Sequence, residues 1–166
     1  MIRLTIDTNA INARQRVEEL NRLERLASEG KVEIRTTHVL LEELEADETQ
    51  AASTRRAKAA RLPRDSPGFM VGHSTVGGPD VIGGRDVDPL VANVLVILGA
   101  GRPFESLDAN SQRDIRHLAT HHAYGRDLFV TSDKGLLRHA QALQSCGIRV
   151  RTPKDALAWV LIRLAE

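Results

Sequence analysis

Short β-prone runs alternate with longer helical stretches along this chain, and that rhythm restricts the fold more than any other feature. Ile2, Leu4 and Ile6 alternate with Arg3 and Thr5, and Val32-Glu33-Ile34-Arg35-Thr36 repeats the pattern. Leu128-Phe129-Val130-Thr131 is almost continuously apolar or β-branched, as strands covered on both faces are, and Ile148-Arg149-Val150-Arg151 closes the set. The spacing predicts strands at 2–6, 32–36, 128–131 and 148–151. Between the first two, Val17, Leu20, Leu23, Leu26 and Ala27 form a helical stripe with a Glu18/Arg22 pair at i,i+4, and Gly30 is placed to end it as the C′ residue. Repetition of strand and helix calls for a three-layer α/β/α sandwich around a central parallel sheet of four to five strands.

Size and composition bound this reading. A chain of 166 residues, 42% hydrophobic, can bury one sizeable core, so a single domain over 1–166 is expected. Cys146 stands alone, no basic-apolar-small leader opens the chain, and no apolar run is long enough for a bilayer. These features predict a cytoplasmic protein without membrane contact. The rhythm breaks at 63–88, where Gly77-Gly78-Pro79 and Gly83-Gly84 predict a flexible insertion. Helical start signals return at Asp88-Pro89 and at Ser111, which would place Asp114 in a first turn. Thr152, Pro153 and Asp155 then supply an N-cap, an N1 proline and an N3 acid for a last helix, apolar almost all round.

Four acidic residues fall at chemically telling points of that framework. Asp7 directly follows the first strand and Asp133 follows the third, at the carboxyl ends where open parallel sheets hold their ligands. Glu43 lies on a helix for which Thr37 is a plausible N-cap, and Asp114 lies on the helix begun by Ser111. Carboxylates gathered at close range repel one another and take up protons unless a cation offsets them, so a cluster of this kind points to a metal. Each acid also has a structural role open to it. Asp114 can complete a capping box with Ser111, Asp133 can cap a helix over 135–140, and Glu43 can pair with an arginine on a solvated face.

The surrounding charge favours a polyanion. The net charge is only +1, yet Arg55, Arg56, Lys58, Arg61 and Arg64 crowd one stretch, while Arg113, Arg116, Arg126, Lys134 and Arg138 surround the last two acids. A solvated helix face would account equally well for the 55–64 run. The few aromatics are Phe69, Phe104, Phe129, Tyr124 and Trp159, which favours reading RNA through its backbone and shape rather than by stacking. Other classes lack their signatures. The glycines follow no GxxxxGK[ST] or GxGxxG spacing, no serine elbow is present, and Asn9 occupies the place of the second aspartate in a phosphatase pair. His117 and His121, four apart with His122 beside them, suit a zinc ion, but there is no HExxH pattern and only one cysteine.

These residues together resemble the PIN-domain ribonucleases. The likeness rests on Asp7-Thr8-Asn9, the Glu43-Leu44 step, Asp114-Ile115-Arg116-His117-Leu118-Ala119-Thr120 and Phe129-Val130-Thr131-Ser132-Asp133-Lys134, in that order, and spans the chain except for the glycine-rich segment. It implies a PIN-like sandwich and a Mg2+- or Mn2+-dependent endoribonuclease, as in the toxins of toxin-antitoxin pairs. Asp7, Glu43, Asp114 and Asp133 would hold the metal, with Asn9 and Thr131 or Ser132 orienting them. Glu42 is the neighbouring alternative to Glu43, and one or two ions remain compatible with the acids. Hard cations of this kind take carboxylate oxygens and activate water, so no histidine or cysteine nucleophile is needed. The resemblance also implies an antitoxin partner and a homodimer, the latter supported by the apolar last helix. A PIN-fold scaffold that binds RNA or protein without cutting is the alternative.

Overall fold

The computed structural model describes residues 1–13, 17–40, 60, 62–65 and 88–166. Among them, β1 (Ile2–Ile6), β2 (Val32–Thr37), β3 (Arg64–Asp65), β4 (Leu128–Val130) and β5 (Val150–Arg151) form one sheet in the order β3-β2-β1-β4-β5. Every pairing is parallel, with Leu4 opposite Ile34 on one side and Leu128 on the other. The described helices are α1 (Thr8–Ala13), α2 (Glu18–Ser28), α3 (Asp88–Gly99), α4 (Ala109–Ala123), α5 (Lys134–Arg138), α6 (Ala140–Ser145) and α7 (Pro153–Ala165). With helices on both faces of a parallel sheet, the chain is the expected three-layer α/β/α sandwich.

One face of the sheet is aliphatic. Leu4, Ile6, Val32, Ile34, Leu128 and Val130 pack against Leu20 and Leu23 of α2 and against Ala156, Leu157 and Val160 of α7. Burying a side chain such as Leu20 or Leu23 contributes about 1.5–3 kcal/mol. The predicted caps hold these helices in place. Gly30 adopts φ +72, its N–H donates to Ala27 O and that of Lys31 donates to Leu26 O, which is the Schellman pattern expected past α2. Thr152 Oγ1 accepts from Asp155 N at 3.2 Å, with Pro153 at the first helical position of α7.

The second core lies over β4 and β5, where Phe129 and Val150 meet Val91, Val94, Ile115, Leu118, Leu136 and Leu143. Three sequence expectations are corrected by the structure. The segment read as loop from residue 63 begins with the edge strand β3, whose Arg64 and Asp65 pair with Thr36 and Thr37 of β2. A two-residue strand carries too little periodicity to register in sequence. Helix α4 starts at Ala109 rather than at Ser111, because Asp108 is the N-cap and accepts from the N–H groups of Asn110 and Ser111, both at 3.0 Å. Asp114 therefore sits in the second turn and Ser111 does not cap it. Thr37 is the last residue of β2 and its hydroxyl bonds across to His117, so it does not act as the expected cap. Glu42, Glu43, the basic residues 55, 56, 58 and 61, and most of the 63–88 insertion lie outside the described residues. No helix among the described residues is long and apolar enough to cross a membrane.

Candidate functional site

The strand order creates a switch point. From β1 the chain adds β2 and β3 on one side and later returns to add β4 and β5 on the other. Loops at the carboxyl ends of β1 and β4 consequently diverge, and the crevice between them is where open α/β sheets bind ligands. Asp7 follows β1 there, and Thr131, Ser132 and Asp133 follow β4. The two predicted strand-end acids thus flank one crevice.

A single hydroxyl links them. Asp7 is 4% exposed and its backbone N–H donates to Val130 O at 3.0 Å, which fixes the start of the loop against β4. Thr131 Oγ1 donates to Asp7 Oδ2 at 2.6 Å, and Thr8 N donates to Asp7 Oδ1 at 2.7 Å. The same Thr131 oxygen accepts from Asp133 N at 2.9 Å. Thr131 is fully buried, so the positioning role expected for it has a geometric basis. Asn9 and Ser132 are exposed and make no side-chain hydrogen bond among the described residues.

Asp133 combines a structural and a candidate chemical role. Its Oδ1 accepts from Leu136 N at 2.8 Å and caps α5, while Oδ2 has no hydrogen bond among the described residues. The carboxylate is half-buried, so its open oxygen remains within reach of a ligand. Gly135 permits this cap: a Cβ there would lie 2.8 Å from Asp133 Oδ1.

Helix α4 carries the third acid along the polar side of the sheet. His121 Nδ1 pairs with Thr5 Oγ1 at 2.8 Å in the middle of β1, and His117 Nδ1 pairs with Thr37 Oγ1 at 2.5 Å at the end of β2. Asp114 is three residues before His117, on the same helical face and one turn further toward the carboxyl edge. Both rings also meet Phe129 edge-on, with centroids 6.4 Å and 5.5 Å away. Burial, then the charges of His122 and Arg126, push the His121 ring down to about 3, so it is neutral at physiological pH. The histidines of the zinc reading are therefore parts of the helix-to-sheet packing, and His122 is exposed.

Sequence reasoning missed the ion cluster below this layer. Arg126 forks onto Asp65, Nε to Oδ2 at 2.6 Å and Nη2 to Oδ1 at 2.9 Å, with both side chains almost wholly buried. Nη1 lies 3.1 Å from Glu33 Oε2, a charge contact outside hydrogen-bond geometry. Arg35 joins the cluster through Glu33 at 2.6 Å and Asp65 at 3.3 Å, and its hydrogen bond holds the Glu33 carboxyl below the usual carboxylate range. The only sequence signal was the alternation of charge with apolar residues in β2.

Comparison with solved structures bears on the fold. A chain of the crystal structure of VapBC2 from Rickettsia felis bound to a DNA fragment from their promoter aligns with a TM-score of 0.57 at 12% identity. The alignment covers 91% of this chain and 98% of that one. The fold is PIN-like. No family model matches the sequence, and no curated protein matches it.

The donor chemistry of Asp7 and Asp133 suits a hard divalent ion, which takes carboxylate oxygens, and Asp114 lies on the helix that runs toward the same sheet edge. Among the described residues, no three of His, Cys, Asp and Glu come together as a complete metal-ligand group. Glu43, the fourth acid of the expected set, lies outside those residues.

Proposed function

We propose that this protein is a divalent-metal-dependent endoribonuclease that hydrolyses phosphodiester bonds of RNA. The observation that carries the reading is the pair of strand-end aspartates, Asp7 and Asp133, joined through Thr131 at the switch point of a PIN-like sheet. Asp7, Asp133, Asp114 and Glu43 would hold Mg2+ or Mn2+. Such an ion supplies a water of lowered pKa and offsets negative charge on the phosphoryl oxygens.

The chain's own residues do the positioning. Thr131 fixes Asp7 Oδ2 and the backbone of Asp133, while the cap onto Leu136 N leaves Asp133 Oδ2 turned to other use. The bond from His117 to Thr37 ties α4 to the end of β2 and so keeps Asp114 at the edge. Were the four carboxylates to gather there, an ion would offset repulsion that the site would otherwise relieve by protonation. The finer form of the proposal is a toxin held by an antitoxin chain, supported by the likeness to a VapBC2 structure.

The test is cleavage of a single-stranded RNA in Mg2+ or Mn2+. Wild type is expected to cut, Asp7→Asn and Asp114→Asn to lose cutting while keeping a wild-type circular dichroism spectrum, and EDTA to stop the reaction. Equal activity in EDTA and in magnesium would sink the proposal. The second reading is a PIN-fold scaffold that binds RNA or protein without cutting. That reading predicts no Mn2+ binding by calorimetry and no cleavage at any metal concentration.

A further inference from the structure

The candidate centre adjoins a basic groove whose walls do not include Asp7, Asp114 or Asp133. Between α5, α6 and the end of β5 lies an open groove of about 610 Å³, with Arg138, Gln141, Gln144, Ser145 and Arg151 in its walls. That is room for a nucleotide-sized group. Arg151 donates from Nη1 to Val150 O at 3.0 Å and from Nη2 to Gln144 Oε1 at 3.2 Å. Both acceptors are neutral, so the guanidinium is oriented while its charge is not compensated by any carboxylate among the described residues. Arg138 is exposed and makes no ion pair or hydrogen bond among the described residues.

Two contacts join this groove to the acids. The carbonyl of Arg151 accepts from Thr131 N at 3.0 Å, and Thr131 is the residue whose hydroxyl holds Asp7. On the other flank, the point where a Cβ of residue 135 would stand is 2.8 Å from Asp133 Oδ1 and 4.0 Å from an Arg138 guanidinium nitrogen. Acid and base meet at Gly135 without an ion pair between them. A strand of alternating phosphates suits such a surface, since one phosphate can meet the metal-binding edge while its neighbours need fixed cations and amide donors beside it.

We propose that this groove binds the backbone of single-stranded RNA next to the bond that is cut, with Arg138 and Arg151 each on a phosphate. The position of the cut rests on the nuclease reading above; binding in the groove does not. Arg has the planar fork that phosphate recognition uses, and Gln141, Gln144 and Ser145 add neutral polar groups along the same wall.

The experiment measures fluorescence anisotropy of a labelled 12-nucleotide single-stranded RNA with the full chain in EDTA, across a salt series, with cleavage in Mn2+ assayed in parallel. Arg138→Gln/Arg151→Gln is expected to weaken binding and to flatten the slope of log K against log salt by about 1.4, from about 0.7 per phosphate contact on a single strand. Arg138→Gln alone, at an exposed residue, is expected to account for about half of that with an unchanged melting temperature. Unchanged affinity and slope in both variants would overturn the groove, as would absence of RNA binding by wild type. Equally tight, equally groove-dependent binding of a duplex DNA of the same length would overturn the assignment to an RNA strand. Groove-dependent RNA binding by a wild type that never cleaves would support the groove and remove the nuclease reading alone.

Discussion

Leu4 and Thr5 are neighbours in β1, and both are buried, yet they enter layers of opposite chemistry. Leu4 joins an aliphatic layer closed by α2 and α7, where each contact is non-directional. Thr5 joins a layer under α4 built from Thr5–His121, Thr37–His117 and the Glu33, Arg35, Asp65 and Arg126 cluster. The aliphatic face tolerates repacking, because hydrophobic residues of similar volume substitute for one another. On the polar face the contacts are directional and specific, and a lost partner leaves a desolvated donor or charge. The difference also points toward function, since the polar layer leads up the sheet to Asp114 and Asp7 at the carboxyl edge, while Ile6, one residue before Asp7, still belongs to the aliphatic side.

The sharpest way to break this comparison is a rescue experiment in denaturant. Arg126→Met leaves Asp65 buried without its fork and is expected to cost about 3–5 kcal/mol, in the range of a deletion such as Leu20→Ala at about 2–5 kcal/mol. Adding Asp65→Leu to Arg126→Met should restore much of the loss, because the uncompensated charge is gone. No polar-face substitution should restore Leu20→Ala. A double variant as unstable as Arg126→Met alone would show that the cluster stabilises by more than mutual neutralisation.

Proton uptake offers a second, smaller contrast. The folded His121 ring is pushed down to about 3 from an ordinary 6.5, so the unfolded chain binds its proton more readily. The resulting stability is complete above about pH 6.5 and declines as pH falls toward 3. His121→Leu should flatten that part of the profile of unfolding free energy against pH, and equal steepness in the variant would remove His121 from the response. Leu20→Ala should lower the whole curve without changing its shape there.

The smallest expected effect concerns the outer side of α7. Leu157 and Val160 face the aliphatic layer and Trp159 packs at its border, but Leu161 and Ile162 are 40% and 64% exposed. The homodimer that the sequence resemblance implies would cover them. Leu161→Gln/Ile162→Gln is then expected to leave the melting temperature within a few degrees of wild type while shifting light scattering from dimer to monomer. A wild type that is monomeric at high concentration removes the dimer.

Much of the framework was legible in the sequence because it is local. The β1 alternation, the glycine at residue 30 and the Thr152-Pro153-Asp155 start of α7 each act over a few residues, and each formed as read. Asp7 and Asp133 could be placed at a carboxyl edge because the first directly follows a strand and the second lies just beyond one. The start of α4 was misplaced since Asp108 and Ser111 are both good caps and only tertiary packing selects between them. Glu43 lies outside the described residues, so its part in the candidate site rests on the sequence.

The polar layer and the joining of the acids were decided by tertiary structure. The alternation of Thr5, Glu33 and Arg35 with apolar neighbours places them on one side of their strands, but a chain pattern does not reveal which polar groups of the covering layer will meet them. The partners of this polar layer lie far along the chain: Thr5 with His121 at a separation of 116 residues, Asp65 with Arg126 at 61, and Asp7 with Thr131 at 124. The sequence by itself determined strands, helices and strand-end acids through backbone propensity and hydrophobic period. Which side of β1 received β4, and therefore that Thr131 would bridge Asp7 and Asp133 beside the Arg138 and Arg151 groove, depended on non-local packing, whose directional hydrogen bonds exist only once the strands are neighbours.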